Sequence, residues 1–245
     1  MCRLLGGRPR QRVPVCIVLE MDDDGISPRF DHSALITIDT QIDTLDGQPL
    51  EIPGTTAALP AIATLTQSFR QSSRPIIHVV RLYLADGSNA EPSRSSRVSG
   101  DTPILRPGHA GRLIAPEILS DAPAELDDDL LLSGGIQSLG PNEVVIFKPR
   151  WGAFFQTPLE GHLERNGINT LVFSGCNFPN CPRTSIYEAS ERDFRVVLAR
   201  DAISGLYDQG VDELVGIGVT VMDSADIANL IAPSQRMSIK DRPLT

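Results

Sequence analysis

Asp39, Lys148 and Cys181 are the residue types that together can break an acyl bond covalently. A cysteine attacks as its thiolate, which makes it the natural nucleophile of the three. A nearby carboxylate can take the thiol proton and return it to a leaving amine. A lysine beside the thiol and a helix N-terminus beneath it both favour the anion, so this reading expects a depressed Cys181 pKa. Backbone N–H groups at the turn into that helix would hold the oxyanion. Each residue also has an ordinary structural use: aspartate in turns and caps, lysine in solvent, cysteine as a small buried side chain. What sets the three apart is what comes before them.

Five runs are apolar, β-branched and near-continuous: residues 34–38, 76–80, 144–147, 171–173 and 196–199, with a weaker sixth at 219–222. Continuous rather than alternating patterning marks strands buried on both faces of a parallel sheet. Helical spacing fills several intervals, over residues 55–72, 157–166, 183–193 and 224–231. The pattern predicts an α/β fold: a doubly wound, mainly parallel six-stranded sheet with helices on both faces. Ligands of such sheets bind outside the carboxyl ends of the strands. The first run ends in Asp39 and the third in Lys148, and the fourth leads through residues 175–180 to Cys181. Pro182 then sits where a helix favours proline, at its first position. Residues 83–142 break the rhythm; they are rich in proline and small polar residues, and long for a crossover. A loop with short helices, draped over one end of the sheet, is expected there.

Composition sets the outer limits. The 245 residues carry a net charge of −9, with 41% hydrophobic and 22% charged residues. These values fit one folded domain and exclude wholesale disorder. No apolar run reaches the ~18–20 residues of a membrane span, and the acidic balance argues against nucleic acid. Four cysteines, two of them (Cys2 and Cys16) near the start, fit a reducing, cytoplasmic setting. Residues 1–20 carry Arg3, Arg8, Arg10 and Arg12 against Glu20, but their apolar stretch is short and broken by Pro14, unlike a targeting signal. Residues 1–30 are expected to form a flexible tail, residues 31–235 a single domain, and residues 236–245 a second tail. No glycine-rich phosphate turn follows the first strand, which argues against a nucleotide-dependent oxidoreductase.

Ile38-Asp39-Thr40-Gln41, then Lys148-Pro149-Arg150-Trp151-Gly152-Ala153-Phe154, then Gly175 through Cys181, then Asp201-Ala202 resembles the isochorismatase-like cysteine hydrolases. The resemblance covers roughly residues 33–232 and implies their Rossmann-like three-layer architecture. It implies Asp39 as general acid/base, Lys148 as the group favouring the thiolate, and Cys181 as the nucleophile that forms a thioester and expels an amine or ammonia. It implies a non-proline cis peptide at Cys176-Asn177, and oxyanion donors in the backbone N–H groups of Asn177 and Cys181. It further implies a dimer or tetramer. The sequence departs from the family in three places. After the second strand it lacks the Asp-x-His metal motif of the nicotinamidases, so no metal and no other cofactor is expected. It retains a nucleophilic cysteine that isochorismate hydrolases lack. Phe178 stands where a threonine is common.

The remaining assignments are softer. Arg81 is a candidate for binding a substrate carboxylate or carbonyl, since its planar fork can pair bidentately. Trp151 and Phe155 are candidate pocket walls, and Gln41 and Tyr187 candidate polar contacts. Arg94, Arg97, Arg106 and Arg112 read as solvated, and His78 as a satisfied core residue. A Cys181–His109 pair is a rival catalytic arrangement. The leading expectation is a cysteine hydrolase of a small amide, ureide, carbamoyl compound or cyclic amide. The alternatives are vinyl-ether hydrolysis of the isochorismatase type, or a catalytically idle binding or scaffold protein of the same family.

Overall fold

A computed structural model of the chain describes residues 25–120 and 124–232. Of the expected tails, residues 1–24 and 233–245 lie outside the described residues, as do Cys2 and Cys16. Phe30, at the inner edge of the first tail, packs against the core.

Each apolar run becomes a strand, and together they build one sheet. The strands are β1 (Ser33–Ile38), β2 (Ile76–Val80), β3 (Ile136–Gly140), β4 (Glu143–Phe147), β5 (Thr170–Gly175), β6 (Arg195–Ile203) and β7 (Thr220–Met222). Their order is β3-β4-β2-β1-β5-β6-β7. All neighbours run parallel except β3, which lies antiparallel on β4. The sheet therefore has seven strands rather than six. Strand β3 escaped the apolar pattern because it is an edge strand, only partly buried, and can carry polar residues.

Side chains of the inner strands point alternately to two apolar layers. Leu35, Val145, Val172 and Val197 pack with α1 (Thr55–Gln71) and α7 (Ser224–Ile231), through Ile62, Leu65, Phe69 and Ile227. Ala34, Ile36, Ile38, Phe173 and Leu198 pack on the other face with α4 (Leu159–Arg165), α5 (Cys181–Ser190) and α6 (Asp208–Val215), through Leu163, Ile186 and Leu214. Burial on both faces is why the runs are continuous. Each large apolar side chain so buried contributes about 1.5–3 kcal/mol. His78, inside β2, is satisfied there: Nδ1 pairs with Thr37 Oγ1 and Nε2 with Glu143 Oε1, each at 2.8 Å.

The long segment after β2 is built as expected, from short pieces. It holds α2 (Pro92–Val98), two single 3-10 turns, α3 (Asp128–Leu132) and then β3. Tyr83, Ala90, Val98, Ile104 and Leu105 of this segment form a small apolar core with Leu50, which precedes α1. Leu50 and Leu105 of that core lie beside Asp39, at the carboxyl end of β1.

Candidate active site

The sheet order places the site. From β1 the chain passes to β2 and β4 on one side, while β5 and β6 lie on the other, so the order reverses at β1. In doubly wound sheets this reversal opens the ligand crevice. Registers align the strand ends along one rim: Ile38 faces Gly175 and Val79, and Val80 faces Phe147. Asp39 follows β1, Lys148 follows β4, and Cys181 opens α5 shortly after β5.

Gly175 makes the closest of these approaches possible. Its φ is +111°, and a Cβ there would lie 2.1 Å from the Ile38 carbonyl oxygen. With hydrogen in that place, the Cys176 N–H donates to Ile38 O at 2.9 Å and Cys176 Sγ donates to Asp39 O at 3.1 Å. Asp39 itself has φ +50°, a left-handed conformation uncommon for a side-chain-bearing residue and often found at functional positions.

The Lys148 loop is fastened to the Cys181 helix. The Ala153 N–H donates to Ser185 Oγ, which donates in turn to Cys181 O, at 3.0 and 2.7 Å. The Phe154 N–H donates to Glu188 at 2.9 Å, and Gly152 leaves the room that this carboxylate occupies. The motif residues Ala153 and Phe154 are themselves buried in the core.

The result is a small polar cavity. Asp39, Thr44, Leu50, Arg81, Arg94, Leu105, Cys176, Asn177 and Cys181 are among its walls, and its free volume is about 10 Å3. That is room for about one water molecule. Lys148 is wholly buried beside it, and its Nζ lies 2.9 Å from Asp39 Oδ2 and 3.3 Å from Arg150 O. The other carboxylate oxygen, Asp39 Oδ1, is buried without a hydrogen-bond partner among the described residues. Orphaned buried acceptors are rare.

The Cys181 thiol differs from expectation. Burial and the Asp39 carboxylate push it up to about 11, and the opposing pull of Lys148 and Arg94 does not compensate. Burial therefore favours the neutral thiol, with Lys148 already paired with Asp39. Burial and Asp39 likewise push Cys176 up to about 12.

The peptide before Asn177 also differs: no cis bond occurs among the described residues. Gly175 at φ +111° and Asn180 at φ −116°, ψ −100° redirect the chain here. Asn177 still lines the cavity, and among the described residues its N–H and that of Cys181 have no hydrogen-bond partner. Phe178 turns away from the cavity, edge-on to Tyr207 at 5.4 Å, where Gly210 leaves space for its ring.

The softer assignments divide. Arg81 lines the cavity, but its Nη atoms bond Glu91 at 2.7 Å, Arg150 O at 2.8 Å, Tyr83 Oη at 3.1 Å and Lys148 O at 3.2 Å. Only its Nε remains without a partner. Gln41 is structural: its amide donates to Arg81 O and Arg112 O and accepts from the Arg81 N–H, tying β1 to the segment after β2. Phe155 is 46% exposed, and Tyr187 sits under Arg183; neither is part of the cavity wall. Trp151 reaches the site indirectly, by stacking under Arg94 at 4.7 Å. His109 lies near Asp43 and is not part of the wall. Among the supposedly solvated arginines, Arg97 is at the surface, while Arg112 is buried on Asp128 and Glu125. Arg94 lines the cavity; sequence reasoning missed it because α2, Pro92–Val98, has no apolar stripe to aim it inward. Among the described residues no cluster of three His, Cys, Asp or Glu side chains could hold a metal ion, and no helix is long and apolar enough to cross a membrane.

Known proteins share this architecture. The isochorismatase domain family model matches residues 133–226, the part that carries Lys148 and Cys181. A crystal structure of an isochorismatase family protein from Desulfovibrio vulgaris superposes with a TM-score of 0.69 at 28% identity, covering 82% of this chain and 99% of that one. A probable inactive nicotinamidase of Arabidopsis thaliana is 26% identical over 79% of this chain and 93% of its own length. Maleamate amidohydrolase of Pseudomonas putida is 27% identical over 69% and 71%. The chain is thus similar to isochorismatase family proteins in fold and carries the isochorismatase domain match over its second half.

Proposed function

We propose that the protein hydrolyses the C–N bond of a small amide through a thioester on Cys181. One observation carries the reading: in the cavity with Cys181, Asp39 presents a buried oxygen with no partner, while Lys148 holds the other. The relationship to an amidohydrolase supports the same class of reaction.

Asp39 Oδ1 takes the thiol proton as Sγ attacks the carbonyl carbon. Coupling the two events avoids a free thiolate, which the raised pKa disfavours. The backbone N–H groups of Asn177 and Cys181 receive the oxyanion. The C–N bond then breaks, and the proton on Asp39 goes to the departing nitrogen. Water attacks the thioester and gives a proton to Asp39, which returns it to the sulfur as the acid leaves. Lys148 keeps Asp39 oriented and balances its charge throughout.

The test is ammonia release across small amides, ureides and carbamoyl compounds. Wild type should release ammonia from at least one of them, and Cys181→Ala should release none. Release that survives in Cys181→Ala would refute the thioester. Turnover of isochorismate that needs Asp39 and not Cys181 would favour vinyl-ether hydrolysis instead, and binding without turnover would mark an idle protein.

A further inference from the structure

Arg94 is the cation of this cavity that forms no direct ion pair among the described residues. The cavity wall holds one carboxylate, Asp39, which is paired with Lys148 at 2.9 Å. It holds two arginines. Arg81 is paired with Glu91 at 2.7 Å, and both are buried. Arg94 has no acidic partner among the described residues; its guanidinium donates to the Tyr83 hydroxyl at 3.1 Å and lies 4.7 Å over the Trp151 ring. It is half-buried, and its charge is felt at Cys181. A partly desolvated cation without an anion is costly unless something else supplies one. Tyr83 and Trp151 fix the direction of the guanidinium, so its remaining donors are pre-aimed. A cavity-lining cation without an ion pair, on a chain of net charge −9, favours an anion locally.

We propose that Arg94 binds a carboxylate of the substrate, which makes the substrate a short amide with a carboxylate a few bonds from the scissile carbonyl. The inference rests on the amide-hydrolase reading above. Arg94 and Cys181 line the same small cavity, so one short molecule spans both. The carboxylate takes the place of the missing acidic partner and the carbonyl faces Sγ, which orients the molecule for attack.

The experiment compares monoamides of succinic, maleic and glutaric acid with the matching neutral diamides, in wild type, Arg94→Met, Arg94→Lys and Cys181→Ala. Wild type should prefer an acidic member over its neutral partner by about 10- to 100-fold in kcat/KM, the range of one charge-assisted contact. That ratio should collapse in Arg94→Met and recover partly in Arg94→Lys. A wild-type ratio near one, or a ratio unchanged in Arg94→Met, overturns the carboxylate site while leaving amide hydrolysis standing. Ammonia release that persists in Cys181→Ala fails the underlying reading instead. The second readout needs no turnover. Succinate, maleate or glutarate should slow iodoacetamide labelling of Cys181, followed by mass, in wild type but not in Arg94→Met. If none protects wild type, the proposal is wrong.

Discussion

Two hollows on this molecule contrast in size and in chemistry. The groove along Gly54, Arg200, Asp201, Ser204 and Tyr207 has a volume of about 650 Å3. The Asp39–Cys181 cavity has about 10 Å3. Each is lined by an aspartate from a sheet strand or its end, yet the two acids differ in what remains available. Asp201 Oδ1 accepts the Ser224 N–H at 2.8 Å and Oδ2 the Ser224 hydroxyl at 2.6 Å, so the carboxylate is engaged in starting α7. Arg200 beside it pairs with Asp223. Asp39 keeps one oxygen unengaged, and Arg94 keeps a charge unpaired. Chemistry is located by polar groups that folding leaves unsatisfied, and volume is a poor guide to it.

The sharpest way to break this contrast is to neutralise both acids. Asp39→Asn should lower turnover by about 100- to 10,000-fold, the usual range for losing a general base. Asp201→Ala should leave turnover near wild type and lower stability by about 1 kcal/mol, the cost of a lost helix-start contact. Equal losses of activity would erase the distinction. Replacing the lysine comes next. Lys148→Met strands the buried Asp39 charge, so it should lower stability by about 3–5 kcal/mol in denaturant unfolding and abolish most turnover.

Thiol labelling sharpens the comparison from the side of the nucleophile. With the Cys181 thiol held near 11, the iodoacetamide rate should still be climbing above pH ~10, where an ordinary cysteine of pKa ~8.5 has levelled off. A plateau at neutral pH would mean a preformed thiolate. The smallest effect lies far from both hollows. Burial opposes ionisation of Glu143, but the bonds from Arg70 and His78 prevail and hold it at about 2, below its ordinary 4.5. Its contribution to stability is therefore complete above about 4.5 and lost as pH falls through about 2. Glu143→Gln should flatten the acid limb of the stability profile over that interval.

The fold was legible wherever burial on both strand faces wrote itself as a continuous apolar run. Edge strand β3 and helix α6 were not. β3 has only one strand neighbour, and α6 buries only Gly210 and Leu214. Asp39, Lys148 and Cys181 could be read because strand ends fix their place. Gln41 was misread because the groups its amide donates to, Arg81 O and Arg112 O, lie 40 and 71 residues away along the chain. The thiol pKa was misread for a related reason: sequence suggests the lysine but not its pairing with Asp39, nor the depth of burial. Arg94 was missed because its inward direction comes from Tyr83 and Trp151, not from the residues around it.

The most direct test of the central claim is acid quench of the enzyme during turnover of its best amide, followed by mass analysis of the Cys181 peptide. The account predicts an acyl adduct equal to the substrate less its amine, on Cys181 and absent in Cys181→Ser. Turnover at full rate with no adduct on Cys181, and with the serine variant still active, would contradict it.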